Sequence, residues 1–100
     1  MSNVVPFDNP GDYARVHRRV KRLWNEGVFE IHQHAQLAMG KRKMDVLDVQ
    51  NIILHGSIIS HDLRDGQWRY RIQGGTVANV TASCVVALVG QVLVVSVLDR

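Results

Sequence analysis

Cysteine is almost absent: Cys84 is the only one in 100 residues, so no internal disulfide can form and no zinc site can draw on several thiolates. That usage fits a reducing compartment, and the cytoplasm is the expected location. Proline is confined to Pro6 and Pro10, inside a loose lead-in over residues 1–11. The first residues, Met1 to Pro6, offer neither a basic leader nor an apolar core, which argues against a signal peptide. No apolar run reaches membrane length, because the most apolar stretch, 82–98, is broken by Ser83, Gly90, Gln91 and Ser96 and is rich in β-branched residues. A membrane is therefore not an expected partner. Excess charge is also scarce, since 12 basic against 9 acidic side chains leave only +3. With 46% apolar and 21% charged residues the chain lies outside the disordered regime, and its length suits one domain over 1–100.

The charge that is present is concentrated. From Tyr13 the apolar residues recur as Val16, Val20, Leu23 and Trp24, one stripe of a helix that Asp12 can cap and Gly27 can end. Its other faces carry Arg15, His17, Arg18, Arg19, Lys21 and Arg22, with Glu26 as the one acid. Residues 28–33 alternate as a short strand. A second helix is expected from near His34 to about Lys43. A third is expected from Asp45, with Asp48 in its first turn, Met44 packing on Val49, and Gly56 as its stop. Beyond Gly56 the period becomes two. Turn signals at Asp65-Gly66, Gly74-Gly75 and Gly90 then predict an antiparallel meander over about 57–63, 67–73, 76–88 and 91–98. In its second strand Arg69 and Arg71 share one face while Trp68, Tyr70 and Ile72 share the other. The last two strands are apolar on both faces and belong at the centre. The expected fold class is α+β, with N-terminal helices packed on a four- to five-stranded, mainly antiparallel sheet.

The run from His34-Ala35 through Met39, Arg42, Asp48-Val49, Ile52-Ile53 and Gly56 to Ile58-Ile59 resembles the signature of the family called domain of unknown function 4258. Arg69-Tyr70 and the closing Val94-Val95-Ser96-Val97 continue the likeness over about two-thirds of the chain. The resemblance implies a RelE- or ParE-like toxin fold. It also implies a toxin-like or phage- or plasmid-borne protein of the bacterial cytoplasm. The fold is shared with metal-independent ribonucleases, but ParE-type relatives do not cleave RNA, so the resemblance by itself implies no particular activity. A Thr-Tyr common in the closing strand is replaced by Ser96-Val97-Leu98.

Metal-independent RNA cleavage needs a base for the ribose 2′-hydroxyl, an acid for the leaving oxygen and cations for the transition state. The candidate catalytic residues are His34, Arg69 and Arg71, assisted by His32 or His61, and alternation alone leaves open which side of the sheet His61 faces. Arg15, Arg18, Arg19, Lys21 and Arg22 are candidates for following an RNA backbone, with RNA or the ribosome as partner. They equally suit an acidic antitoxin protein or a plain solvated helix face. The bland readings are a cap or structural role for His34, a bond from Arg42 to Asp45, Asp48 or a helix carbonyl, and solvent exposure for His17. Cys84 reads as a small buried hydrophobe. His32 and His34, two apart on an extended strand, make a weak metal motif without a third ligand, so no metal or other cofactor is expected. The alternative function is a non-catalytic binding or inhibitor protein that uses the basic helix.

Overall fold

The computed structural model describes residues 9–100, and residues 1–8 of the lead-in expected over 1–11 lie outside the described residues. The first helix, α1 (Tyr13–Asn25), starts where the Asp12 side chain accepts from the backbone N–H of Arg15. It ends at Gly27, whose φ of 78° lets the Val28 and Gly27 amides donate back to the Leu23 and Trp24 carbonyls, a left-handed stop that glycine favours. A short strand, β1 (Phe29–Ile31), leads into α2 (Gln33–Lys41), and Lys43 at φ 55° turns the chain into α3 (Val46–His55). Asp45 and Asp48 form a reciprocal capping box at the start of α3. Four strands follow: β2 (Ser57–Arg64), β3 (Gln67–Gly75), β4 (Thr81–Leu88) and β5 (Val92–Leu98).

The strands form one sheet in the order β1-β5-β4-β3-β2, antiparallel throughout except that β1 runs parallel to β5. The architecture is thus α+β, three helices against a mixed five-stranded sheet, with β4 and β5 inside it as their two-sided apolar character requires. Alternation splits the sheet into two faces. Tyr70, Ile72, Cys84, Val86, Val92, Val94 and Val97 are buried beneath the helices, together with Val16, Val20, Leu23 and Trp24 of α1 and Val49, Ile52 and Ile53 of α3. Each such side chain contributes about 1.5–3 kcal/mol of burial, so this face is fixed by many independent terms. Helix α2 lies chiefly along β5 and sends Ala35 and Met39 into the same core. Cys84 is fully buried there, and burial pushes its thiol up to about 12.

Two expectations need correction. The strand predicted over 76–88 begins at Thr81, because 76–80 is a loop closed by Thr76 and Val80 backbone bonding at 2.9 Å, with Asn79 at φ 62°. Gly74-Gly75 is accordingly not the turn but the end of β3. Its glycines answer to packing: a Cβ on Gly74 would sit 2.8 Å from Gly56 Cα, where the end of α3 presses on the sheet. The second expected helix is shorter than 34–43 and begins one residue earlier, at Gln33.

Gly56 has no room for a side chain, since a Cβ would lie 2.5 Å from the carbonyl oxygens of both Gln73 and Ile52. Gly56→Ala is therefore expected to destabilise the fold by about 3 kcal/mol in urea denaturation, whereas Gly40→Ala, in open space within α2, is expected to gain up to ~1 kcal/mol. Asp48 offers a pH test. The backbone N–H of Asp45, then that of Val77, hold its carboxyl below the usual range. Its stabilisation is thus complete above the unfolded value of about 4 and is lost as pH falls through the lower folded value. Asp48→Asn should lower the unfolding midpoint at neutral pH and narrow the gap between midpoints measured at neutral and strongly acidic pH.

Candidate nucleic-acid interface

The sheet face turned away from the core is where the polar residues gather. The register sets Asp62 of β2 beside Arg69 of β3, and Arg69 beside Ala87 of β4, which is followed by Leu93 of β5. One step along, Ser60, Arg71, Val85 and Ser96 form the next row. Between Val94 and Ser96 the pairing with β4 slips, leaving Val95 as an extra residue. A bulge of this kind re-aims side chains, and here Val95 and its neighbour Ser96 both line the same depression.

That depression is a shallow trough made of two adjoining hollows. One, of about 280 Å³, is lined by His34, Asp62, Arg64, Arg69, Val85, Val95 and Ser96. The other, of about 260 Å³, is lined by His32, His34, Arg69, Leu93 and Val95. His34 and Arg69 belong to both. The Arg69 Nε is buried and has no hydrogen-bond partner among the described residues, while Arg64 is paired with Asp62 at 3.2 Å.

The histidines divide by role. The cap of α2 is His32, not His34: its Nδ1 accepts from the His34 backbone N–H at 3.1 Å, which places the neutral ring's proton on Nε2. His34 stands in the first turn of α2 and is exposed, and its ring has no hydrogen-bond partner among the described residues. Because His32 is extended and His34 helical, the two do not share a strand face as the metal motif assumed. No group of three His, Cys, Asp or Glu side chains among the described residues is arranged to hold a metal ion. His61 faces the helices. Its Nδ1 lies 2.7 Å from the Tyr13 hydroxyl and its ring stacks on Tyr70, so the whole sheet separates it from Arg69. Arg71 shares the Arg69 face, but its guanidinium donates to the carbonyl oxygen of Arg100 and it lines neither hollow.

The basic helix is not part of the trough. Helix α1 packs on the core side, leaving Arg15, Arg18 and Arg22 exposed and Arg19 and Lys21 half-buried. His17, expected in solvent, instead donates from Nε2 to the Ile53 carbonyl at 2.7 Å and ties α1 to α3. Arg42 donates to a helix carbonyl, that of Ala38 at 3.4 Å, as one of its expected partners, and pairs with Asp99, 3.1 Å away, rather than with Asp45 or Asp48. No helix among the described residues is long and apolar enough to cross a membrane. Sequence reasoning missed Asp62, Arg64 and Ser96. The first two were legible, since a two-residue Asp65-Gly66 turn forces Arg64 opposite Gln67 and Asp62 opposite Arg69.

The position of His34 depends on the cap that precedes it. His32→Ala should cost about 1 kcal/mol of stability and fray the first turn of α2, whereas His32→Asn, which can cap, should cost much less. Amide hydrogen exchange at His34 reports the difference.

The family described as Domain of unknown function (DUF4258) matches residues 31–98. No curated protein and no solved structure matches the chain.

Proposed function

As the chain belongs to the DUF4258 family, whose description names no activity, we propose from the trough itself that this is a toxin-like RNA-binding protein that cleaves a single RNA strand without a metal ion. The observation that carries this reading is the meeting of an exposed, unpartnered imidazole, His34, and the guanidinium of Arg69 in the lining of both hollows. The likeness of the sequence pattern to RelE-type toxins belongs with it as an expectation about fold and reaction.

The chemistry follows from what each group can do. The Arg69 guanidinium is permanently charged and forked, so it binds a phosphodiester and stabilises the charge that builds on phosphorus. The His34 imidazole takes the proton of the ribose 2′-hydroxyl. The 2′-oxygen then attacks the adjacent phosphorus, and the bond to the 5′-oxygen breaks as that oxygen gains a proton from water in the open trough. The products are a 2′,3′-cyclic phosphate and a free 5′-hydroxyl. His32 assists as a fixed Nε2–H donor to a phosphoryl oxygen, because proton exchange at its Nδ1 would break the cap. The Asp62–Arg64 pair closes the far end of the trough, and the apolar floor of Val85, Val95 and Leu93 suits a ribose.

Purified protein incubated with a labelled RNA oligonucleotide should release a fragment ending in a 2′,3′-cyclic phosphate, with no loss of rate in EDTA. His34→Ala should lower the rate by about 10²–10⁴-fold and Arg69→Ala by about 10²–10³-fold, while His55→Ala, outside the trough, leaves it unchanged. Wild-type protein that binds the oligonucleotide but leaves it intact, or a His34→Ala variant that cuts equally well, overturns the cleavage half and moves the protein to the non-catalytic binding class.

A further inference from the structure

Helix α1 carries a surface that the trough does not use. Arg15, Arg18 and Arg22 are spaced by three and four residues, so they form one straight row about 10.5 Å long on the exposed side of α1. The two ion pairs among the described residues are Arg42–Asp99 and Arg64–Asp62, so none of the three guanidiniums is in an ion pair there. Arg15 also stands in the first turn, where the helix dipole disfavours a cation.

We infer that this row is a second phosphate-binding surface, on the opposite side of the sheet from the trough, and that it takes the backbone of a double-helical nucleic acid. The composition of the face selects that occupant. None of the large exposed apolar side chains lies on α1, so the face lacks the apolar or aromatic centre on which protein interfaces are built. The apolar stripe of Val16, Val20, Leu23 and Trp24 is turned into the core, so α1 has nothing to insert into a lipid surface. Single-stranded binders stack bases on exposed aromatics, and Tyr13 and Trp24 are both engaged with the core. What remains is a line of forked cations along an exposed helix side, which fits phosphates presented on the outside of a duplex with the bases hidden. This surface stands independently of the trough reading. If both hold, one chain grips a duplex on one side and a single strand on the other.

Fluorescence anisotropy with two probes separates the claims: an RNA duplex of about 12 base pairs, whose bases are hidden, and a single-stranded tetranucleotide. Three phosphate contacts predict a slope of about −2.7 for the logarithm of duplex affinity against the logarithm of salt concentration. The triple variant Arg15→Gln, Arg18→Gln, Arg22→Gln should lose at least about tenfold in duplex affinity at low salt and most of that slope. Its tetranucleotide affinity and circular dichroism should stay unchanged, whereas Arg69→Ala should weaken tetranucleotide binding alone. A wild-type protein that ignores the duplex, a triple variant that binds it normally, or a row that prefers an acidic peptide overturns the inference. Loss of tetranucleotide binding with duplex binding intact instead overturns the trough reading.

Discussion

The pleat of β3 is the constraint from which the rest of the structure follows. Along this strand Tyr70 and Ile72 are fully buried beneath the helices, with Trp68 partly covered, and the residues between them are obliged to project from the other side. A slip of one residue would drive Arg69 and Arg71 into the core and strip it of an aromatic and an aliphatic anchor, so the register has no near competitor. The Asp65-Gly66 turn, with φ of 52° and 77°, pins it from the hairpin end. At the other end, contact between Gly56 and Gly74 lets α3 approach the strand at backbone distance. Arginines on the outer face are thus a consequence of core packing, and the trough inherits its rigidity from a surface it does not touch.

Placement of His34 rests on a separate device. Strand β1 covers only the first part of β5, pairing with Val92 to Val94, and the chain then breaks into α2 at the His32 cap. Helix α2 takes over the flank of β5, turning Ala35 and Met39 inward and leaving His34 at the rim of the outer face. The bulge at Val95 occurs where this handover takes place, and it supplies the local bend that brings two consecutive β5 residues to line the trough. Five elements, α2, β2, β3, β4 and β5, contribute side chains there, which is the arrangement expected of a functional surface mounted on a packed scaffold.

Much of this was legible in the sequence, and the failures have physical causes. Helix stripes, caps and the Asp45–Asp48 box were readable because they are local, satisfied within a few residues of chain. The β3 alternation placed Arg69 and Arg71 together for the same reason. Gly74-Gly75 was misread because glycine serves two purposes, left-handed turns and close approach, and only the tertiary neighbour Gly56 tells them apart. The side on which His61 lies was unreadable because the bulge between Ile58 and Ser60 shifts the phase of β2 partway along, so counting from Ile58 gives the wrong face. His17 bonds to Ile53 and Arg42 pairs with Asp99, 36 and 57 positions away and beyond any spacing rule, whereas the bond from Arg42 to the Ala38 carbonyl is local and was legible.

The two cationic surfaces are electrically separate as well as spatially separate. A helix layer and a sheet lie between the α1 row and the trough, which amounts to well over 10 Å of packed protein, more than the screening length of about 8 Å in physiological salt. The field of one therefore adds little to the affinity of the other. The trough is floored by Val85, Leu93 and Val95 and bounded by Asp62, so in the proposed reading the hold on a phosphate rests on the geometry of Arg69 and His34. The α1 row carries three exposed guanidiniums and no acid among them, and so presents the stronger field, which in the inferred role suits salt-sensitive capture. A chain of modest overall charge thus concentrates cations on two separate surfaces without placing them next to one another in the core.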